Sequence, residues 1–423
     1  MRTSHIAIPS PAIAVVGRHN SGKTTLVEAV IAELSARGLD VGSIKHHGHA
    51  GFDIDKPGKD SYRHRAAGAT ETVVAAPGLV ARMKTIEGEL ECRELVASMP
   101  GHDVVVVEGY RKSGLPTIEV MRSGNEADRS VAELFARGAR EGWSLGEDFS
   151  QLAREASRGD ASEAPADLRV KMPDSNTVAV VTDIAEAAQA GKAFGIPVFD
   201  INAIAAVADF VQAHYARPKL TVVIQAGGQS WRMGRSKATV PFAGRPLISH
   251  MVERMLPVAD ELVITTNEPD NLAFLHDEYP QATLRLVTDV VNRRGALPGF
   301  LTALSAASNP FVALVACDMA FASPALVAAE ASKMAESEAD AVVPVNKHGF
   351  EPFHAVYRRD ACLPHVRQLV ESGCNRMQEL YDRVSIFPFP QELVQRAEPM
   401  GGCFMNANTP EELAMLEQFY LER

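Results

Sequence analysis

Ala12-Ile13-Ala14-Val15-Val16-Gly17-Arg18-His19-Asn20-Ser21-Gly22-Lys23-Thr24-Thr25 carries a short apolar run straight into a glycine-bounded polar loop. A helical pattern follows to Arg37, with Gly38 placed as a left-handed stop. The order is strand, loop, helix, the opening of an α/β domain. The same grammar returns half a chain later. Leu220-Thr221-Val222-Val223-Ile224 runs into Gln225-Ala226-Gly227-Gly228-Gln229-Ser230-Trp231-Arg232-Met233-Gly234-Arg235-Ser236-Lys237. Two such openings imply two doubly wound α/β domains, divided at Ala216-Arg217-Pro218-Lys219, where Pro218 discourages a continuous helix. The expected domains are 1–217 and 218–423.

Further strands are expected at Val41–Lys45, Val104–Val107, Val178–Val181 and Pro197–Phe199, and a helix at about Ala203–Tyr215. In the second half, Glu261–Thr265, Leu284–Val287, Phe311–Ala316 and Ala341–Val345 alternate with helical patterns, which suggests a mostly parallel sheet. The stretch 126–170 is rich in Ala, Arg, Glu, Asp and Ser with little apolar periodicity before Leu152. It reads as a partly helical, partly mobile insertion.

The 423 residues are 46% hydrophobic and 22% charged, which excludes whole-chain disorder. The net charge of −11 argues against nucleic acid or an anionic membrane as partner. It leaves a phosphate ligand open, because such sites are local. Five cysteines at long spacings contain no C-x-x-C pair, so neither a zinc ribbon nor a disulfide framework is indicated. Reduced thiols in a cytoplasmic protein fit best. No run of 18 apolar residues predicts a membrane span, and the start of the chain does not read as a signal peptide.

Gly17 to Thr24 matches G-x-x-x-x-G-K-[ST]. Its glycines allow a bend that turns the N–H groups of Asn20, Ser21, Gly22 and their neighbours onto a phosphate, with Thr25 continuing into the helix. Lys23 can reach the terminal phosphate oxygens, and the Thr24 hydroxyl can ligate Mg2+. Val104 to Val107 ends in Glu108-Gly109, where a carboxylate can hold the Mg2+ shell or polarise water. The other reading is a solvated acid past a strand. His47, His49 and Asp53 admit a transition-metal site, a switch-like loop or a plain polar loop; their spacing matches no standard zinc pattern.

In the second opening, Gly227 and Gly228 let backbone approach a nucleotide. Arg232 and Lys237 supply positive charge where a triphosphate and a pyrophosphate leaving group would lie. Asp318 follows the apolar strand Phe311–Val315, well placed for Mg2+ that bridges phosphates, the alternative being a helix cap. Asn267 and Asp289 also sit at strand ends. They read as base or ribose contacts or, nearly as well, as turn residues.

Two family resemblances rest on these residues. Gly17 to Thr24, Ile44-Lys45-His46, Asp55 to Ser61 and Val107-Glu108-Gly109-Tyr110 resemble the molybdopterin-guanine dinucleotide biosynthesis adaptor family, over roughly residues 11–122 and more weakly 175–215. That resemblance implies a P-loop NTPase-like domain that binds GTP, hydrolyses it weakly and assists a guanylyltransferase. Ala226 to Lys237, Pro241 to Leu247, Gly295 to Gly299, Cys317-Asp318, Glu351 to Tyr357 and Phe404 to Pro410 resemble the molybdenum cofactor guanylyltransferase family, over nearly all of 219–423. It implies a Rossmann-like nucleotidyltransferase domain in which Ala226, Gly227, Gly228, Lys237, Asn267 and Asp289 contact GTP and Asp318 binds Mg2+. Gln225 departs from the family's usual Leu.

The implied reaction joins GTP and molybdopterin, or its molybdenum form, into the guanine dinucleotide with release of pyrophosphate. The attacking phosphate is already ionised, so positioning and electrostatics suffice without a general base. Use of CTP, a sugar-phosphate acceptor, or a non-catalytic GTP-dependent scaffold that delivers the cofactor are the alternatives. The implied partners are GTP and the molybdenum cofactor; apo-molybdoenzymes with their chaperones and a second copy of the chain are further candidates, which the sequence leaves open. His354, Arg358 and Asn406 to Asn408 are candidates for the pterin pocket.

Overall fold

The computed structural model describes residues 8–47, 53–146, 149, 171–227 and 236–422. They form two compact units that part between Ala216 and Arg217. Ile8 belongs to the core cluster of the C-terminal unit. Residues 8 and 9 therefore go with that unit, whereas the sequence reading placed them in the N-terminal one.

The N-terminal unit is built on six parallel strands: β1 (Ala12–Gly17), β2 (Val41–Lys45), β5 (Val104–Glu108), β6 (Thr117–Met121), β7 (Thr177–Thr182) and β8 (Val198–Phe199). The order is β2-β5-β1-β6-β7-β8. Between β2 and β5 the chain makes a separate antiparallel hairpin, β3 (Glu71–Ala76) and β4 (Leu79–Lys84), that the sequence reading did not include. Val104 to Val107 are buried and β-branched, as a strand covered on both faces requires. The helix Lys23–Ala36 buries Leu26, Val27, Val30 and Leu34 against this sheet, and Gly38 takes φ 83° just beyond it.

The stretch read as an insertion begins with a regular helix, Glu126–Glu141. It is the crossover from β6 to β7 and thus part of the sheet architecture. Asn125 caps it by accepting from the Ala127 N–H at 3.1 Å, and Gly142 ends it at φ 73°. Val131, Ala132 and Phe135 are fully buried beside Met121, Ala187 and Ala190. Burying a Phe of this kind contributes on the order of 1.5–3 kcal/mol. Residues 150–170 lie outside the described part.

The C-terminal unit holds an eight-stranded mixed sheet: β9 (Leu220–Gln225), β12 (Glu261–Thr265), β13 (Leu284–Val287), β14 (Phe311–Ala316), β15 (Ala341–Asn346), β16 (Gly349–Phe350), β17 (His354–Arg358) and β18 (Ile386–Phe389). β10 (Pro241–Phe242) and β11 (Arg245–Pro246) make a small separate ribbon. The order is β13-β12-β9-β14-β17-β15-β16, with β18 beside β15. Strands β13, β12, β9 and β14 are parallel; β17 runs against both β14 and β15. Alternation along β9 sends Val222 and Ile224 into one core layer and Val223 into the other.

Each sheet has a topological switch point. The chain builds outward from β1 to β2 and β5, then crosses to β6. It builds from β9 to β12 and β13, then crosses to β14. The crevice beyond the carboxyl end of such a strand is where ligands bind in open α/β sheets. Gly17 ends β1 and Gln225 ends β9, so both glycine loops open at these crevices. Among the described residues no helix is long and apolar enough to cross a membrane.

Candidate functional site

At the first crevice the loop geometry depends on backbone that only small residues tolerate. A Cβ on Gly17 would stand 2.6 Å from Ser21 Oγ and 2.7 Å from the Val120 carbonyl. Asn20 and Gly22 adopt left-handed φ of 63° and 88°. The buried Ser21 hydroxyl donates to the Arg18 carbonyl at 2.8 Å, and the Lys23 ammonium donates to the same carbonyl. Burial pushes the Lys23 ammonium below its ordinary pKa, with Glu108 pulling the other way. Thr25 is exposed on the first helical turn.

Thr24 and Glu108, 84 residues apart, are brought together: the Thr24 hydroxyl donates to Glu108 Oε1 at 2.7 Å. Lys45 donates to both Glu108 oxygens at 2.9 Å, a contact the sequence did not reveal. Burial raises the Glu108 pKa, but the Thr24 hydroxyl and the Lys45 ammonium outweigh it and hold the carboxylate below its ordinary range. A cleft of about 860 Å³ adjoins these groups, with His46, Tyr110, Arg111 and Lys171 on its walls.

Beneath the loop lies a buried charge network that no motif announced. Arg18 is 2% exposed, donates to the Lys171 carbonyl and stands 3.7 Å from Asp128. Arg111 bridges to Glu119 on β6 at 2.6 Å. The local signal was a carboxylate in the middle of an otherwise apolar strand, which must be paired when buried. Of the transition-metal candidates, Asp53 is engaged by Arg65 at 2.6 Å and His49 lies outside the described residues. Among the described residues no three His, Cys, Asp or Glu side chains gather to hold a metal.

At the second crevice a cleft of about 570 Å³ runs between the strand ends and the helix Ala296–Ala306. Lys237, Asp289 and Asp318 line it together with Ala226 and Gly227. The Lys237 ammonium donates to Asp318 Oδ2 at 2.8 Å and to Asn408 Oδ1 at 2.9 Å. Asn408 is itself fixed. Its N–H donates to Glu412 Oε2 at 2.7 Å, and Glu412 forms a capping box with Thr409 at the start of the helix Pro410–Leu421. The Asp318 carbonyl accepts from the Ala407 N–H at 3.0 Å. Asp318 is not the cap of the next helix: Ser323 caps Pro324–Glu336, accepting from the Leu326 N–H at 3.2 Å.

Asn267 and Asp289 meet across β12 and β13, Asn267 Nδ2 donating to Asp289 Oδ2 at 2.8 Å. Thr302 adds a bond to the other oxygen at 3.3 Å. Gly228 and Arg232 lie outside the described residues.

The pterin candidates divide. Asn406 lines the cleft. Arg358 is occupied with the carbonyls of Ser337 and Ala339 and with the Phe311 ring. His354 is fully buried: its Nε2 accepts from the Ser323 N–H at 3.0 Å and its Nδ1 lies 3.2 Å from Glu330. Burial pushes Glu330 up to about 7, only partly offset by His354. A raised carboxyl pKa means that the folded state keeps a proton that the unfolded chain releases. Stability of this half should therefore fall, by on the order of 3 kcal/mol, as pH rises from about 4.5 through 7. Urea unfolding at pH 5 and pH 8 should show this fall, and Glu330→Gln should flatten it. An unchanged slope in the variant would refute the assignment.

The family model for molybdopterin guanine dinucleotide synthesis protein B matches residues 12–136, and that for the MobA-like NTP transferase domain matches 222–386. A probable molybdenum cofactor guanylyltransferase of Natranaerobius thermophilus is 30% identical over 202 residues, which are 47% of this chain and 96% of that protein. One from Carboxydothermus hydrogenoformans is 33% identical over 207 residues, 48% and 96% of the respective chains. The molybdopterin-guanine dinucleotide biosynthesis adapter protein of Escherichia coli is 40% identical over 118 residues, 27% of this chain and 67% of that one. The chain thus belongs to the molybdenum cofactor guanylyltransferase family through its second half and to the molybdopterin-guanine dinucleotide adapter family through its first.

Proposed function

We propose that the C-terminal half transfers GMP from GTP to the terminal phosphate of molybdopterin or its molybdenum form, releasing pyrophosphate, and that the N-terminal half binds GTP in support. The observation that carries this reading is the convergence of Lys237 and Asp318 at the β9 switch point, 2.8 Å apart in one cleft. The acceptor phosphate is ionised at neutral pH and attacks the α-phosphorus, while the P–O bond to pyrophosphate breaks. The Lys237 ammonium neutralises charge that builds on the phosphate oxygens. Asn408 and Asp318 hold that ammonium in place.

The donor sets suit a hard divalent cation such as Mg2+, which takes a carboxylate or hydroxyl oxygen and completes its shell with phosphates and water. Asp318 offers a carboxylate on the second cleft; the Thr24 hydroxyl and Glu108 offer adjacent oxygens on the first. Held there, such an ion would supply neutralisation of phosphate charge. In the first half, the Asn20–Gly22 turn and Lys23 receive the GTP phosphates.

The test is pyrophosphate release by the full chain with Mg2+ and molybdopterin, comparing GTP, CTP and ATP. Release that needs both GTP and the pterin is expected. A CTP preference would make the protein a cytidylyltransferase, and no release with retained GTP binding would favour a delivery scaffold.

A further inference from the structure

Lys45 ends β2 and stands in register with Glu108 at the end of β5. Register partners on neighbouring strands share a face of the sheet. The two strand ends are tied together, since the His46 N–H donates to the Glu108 carbonyl at 2.9 Å. The side chains then meet beside the glycine loop. The Lys45 ammonium donates to both Glu108 oxygens at 2.9 Å and reaches the Thr24 hydroxyl oxygen at 3.4 Å. That hydroxyl in turn donates to Glu108 Oε1 at 2.7 Å. These are the oxygens that suit a divalent cation in this half. A hard dication needs them at about 2.1 Å, and an ammonium seated on the same oxygens repels it.

The pairing is also one that can open. Lys45 is 59% exposed on a flexible four-carbon stem, and an ion pair so exposed contributes little. Lys237 in the second half differs: it is 21% exposed and held between Asp318 and Asn408. Mg2+ sheds its water reluctantly and binds where several negative oxygens gather. Glu108 alone, its charge cancelled by Lys45, is a poor site for it. A triphosphate on the Asn20–Gly22 turn adds oxygens for the metal and offers the ammonium another anion to pair with.

We propose that Lys45 is an exchangeable counter-ion built into the first site. Its ammonium holds the metal position between Thr24 and Glu108 until a divalent cation arrives with a nucleoside triphosphate, and then moves to the terminal phosphate. This rests on the reading that the first half binds GTP with Mg2+. The exchange makes metal entry depend on the terminal phosphate, so the site responds to a triphosphate and not to a diphosphate.

The experiment follows Mn2+ by the loss of its free-ion electron paramagnetic resonance signal on titration with the full chain. The parent carries Asp318→Ala, which removes the other carboxylate assigned to a metal. Without nucleotide, Lys45→Met should bind Mn2+ about 10-fold more tightly than the parent, because a like charge has gone. Lys45→Arg keeps the charge and should match the parent. Lys45→Met combined with Glu108→Gln should lose the gain. With GTP the sign reverses: the parent should hold Mn2+ at the first site about 3- to 10-fold more tightly than Lys45→Met, since the ammonium then pairs with phosphate. Lys23→Ala, measured alongside, identifies the share of the first site. GDP should give the parent no such advantage. Equal nucleotide-free affinity in the parent and Lys45→Met overturns the proposal. A Met variant weaker both with and without GTP also overturns it, since that is the mark of a merely structural lysine. If Lys23→Ala removes no GTP binding, the underlying reading of the first half falls, and the nucleotide-free comparison still decides the role of Lys45.

Discussion

Asp318→Ala should lower GTP-dependent pyrophosphate release about 10³-fold or more, at every Mg2+ concentration. The expectation follows from where the carboxylate sits. Asp318 stands directly beyond the end of β14, on the cleft wall beside the switch strand, 2.8 Å from the Lys237 ammonium. Metal-mediated charge stabilisation on transferring phosphoryl groups is worth several kcal/mol, and each 1.36 kcal/mol is a factor of ten in rate. The fold should tolerate the change. The side chain is 20% exposed, and the bond that secures the loop is made by the Asp318 backbone carbonyl, which the substitution leaves in place. Asp318→Asn separates two roles. If the carboxylate did no more than hold Lys237, the amide oxygen would accept the same hydrogen bond and most activity would survive. If it binds the metal, Asn should fail nearly as badly as Ala, with a steeply raised Mg2+ requirement. Near-normal turnover in the Ala variant would end the metal assignment.

Legibility in this chain follows range. Features written within a few residues were readable: the two strand–loop–helix openings, the αL glycine at Gly38, the apolar strand ending in Glu108. The helix Glu126–Glu141 was half legible. Its buried residues Asp128, Val131, Ala132, Phe135 and Ala136 recur at helical spacing, so the face was present in the sequence, but the reading weighed the high content of Glu and Arg above that period. Asp128 adds to the confusion, since it is buried facing Arg18, and no local pattern says that an acid on such a helix points inward. The antiparallel β17 also escaped because its partners, β14 and β15, lie on either side of it only after the chain has folded back. At the sites, the residues proposed to meet phosphate were visible, but their supports were not. Lys45 reaches Glu108 across 63 residues and Asn408 reaches Lys237 across 171, so both contacts are products of topology. The sequence offered Asn408 only as a pterin candidate, and the structure adds its bond to Lys237.

Lys237→Ala is the second change with a large expected effect: about a 10²- to 10³-fold fall in kcat with GTP, comparable to removing one preorganised donor from a transition-state oxyanion site. The geometry makes a stricter demand than charge alone. Nζ is held at 2.8 Å from Asp318 and 2.9 Å from Asn408, so two acceptors aim a compact ammonium at one point of the cleft. A guanidinium is broader and planar and cannot sit at that point with the same two bonds, so Lys237→Arg should recover little of the loss although it keeps the charge. Asn408→Ala leaves the ammonium present but frees it to move, and should cost about 10-fold, in kcat more than in KM, because precise placement matters most when charge builds on the phosphates. Combining Asn408→Ala with Lys237→Ala should cost no more than Lys237→Ala alone, since the Asn would then have nothing left to position. Additive losses in that double variant would mean that Asn408 contacts a substrate directly, and full activity in Lys237→Arg would mean that the site needs only a positive charge there.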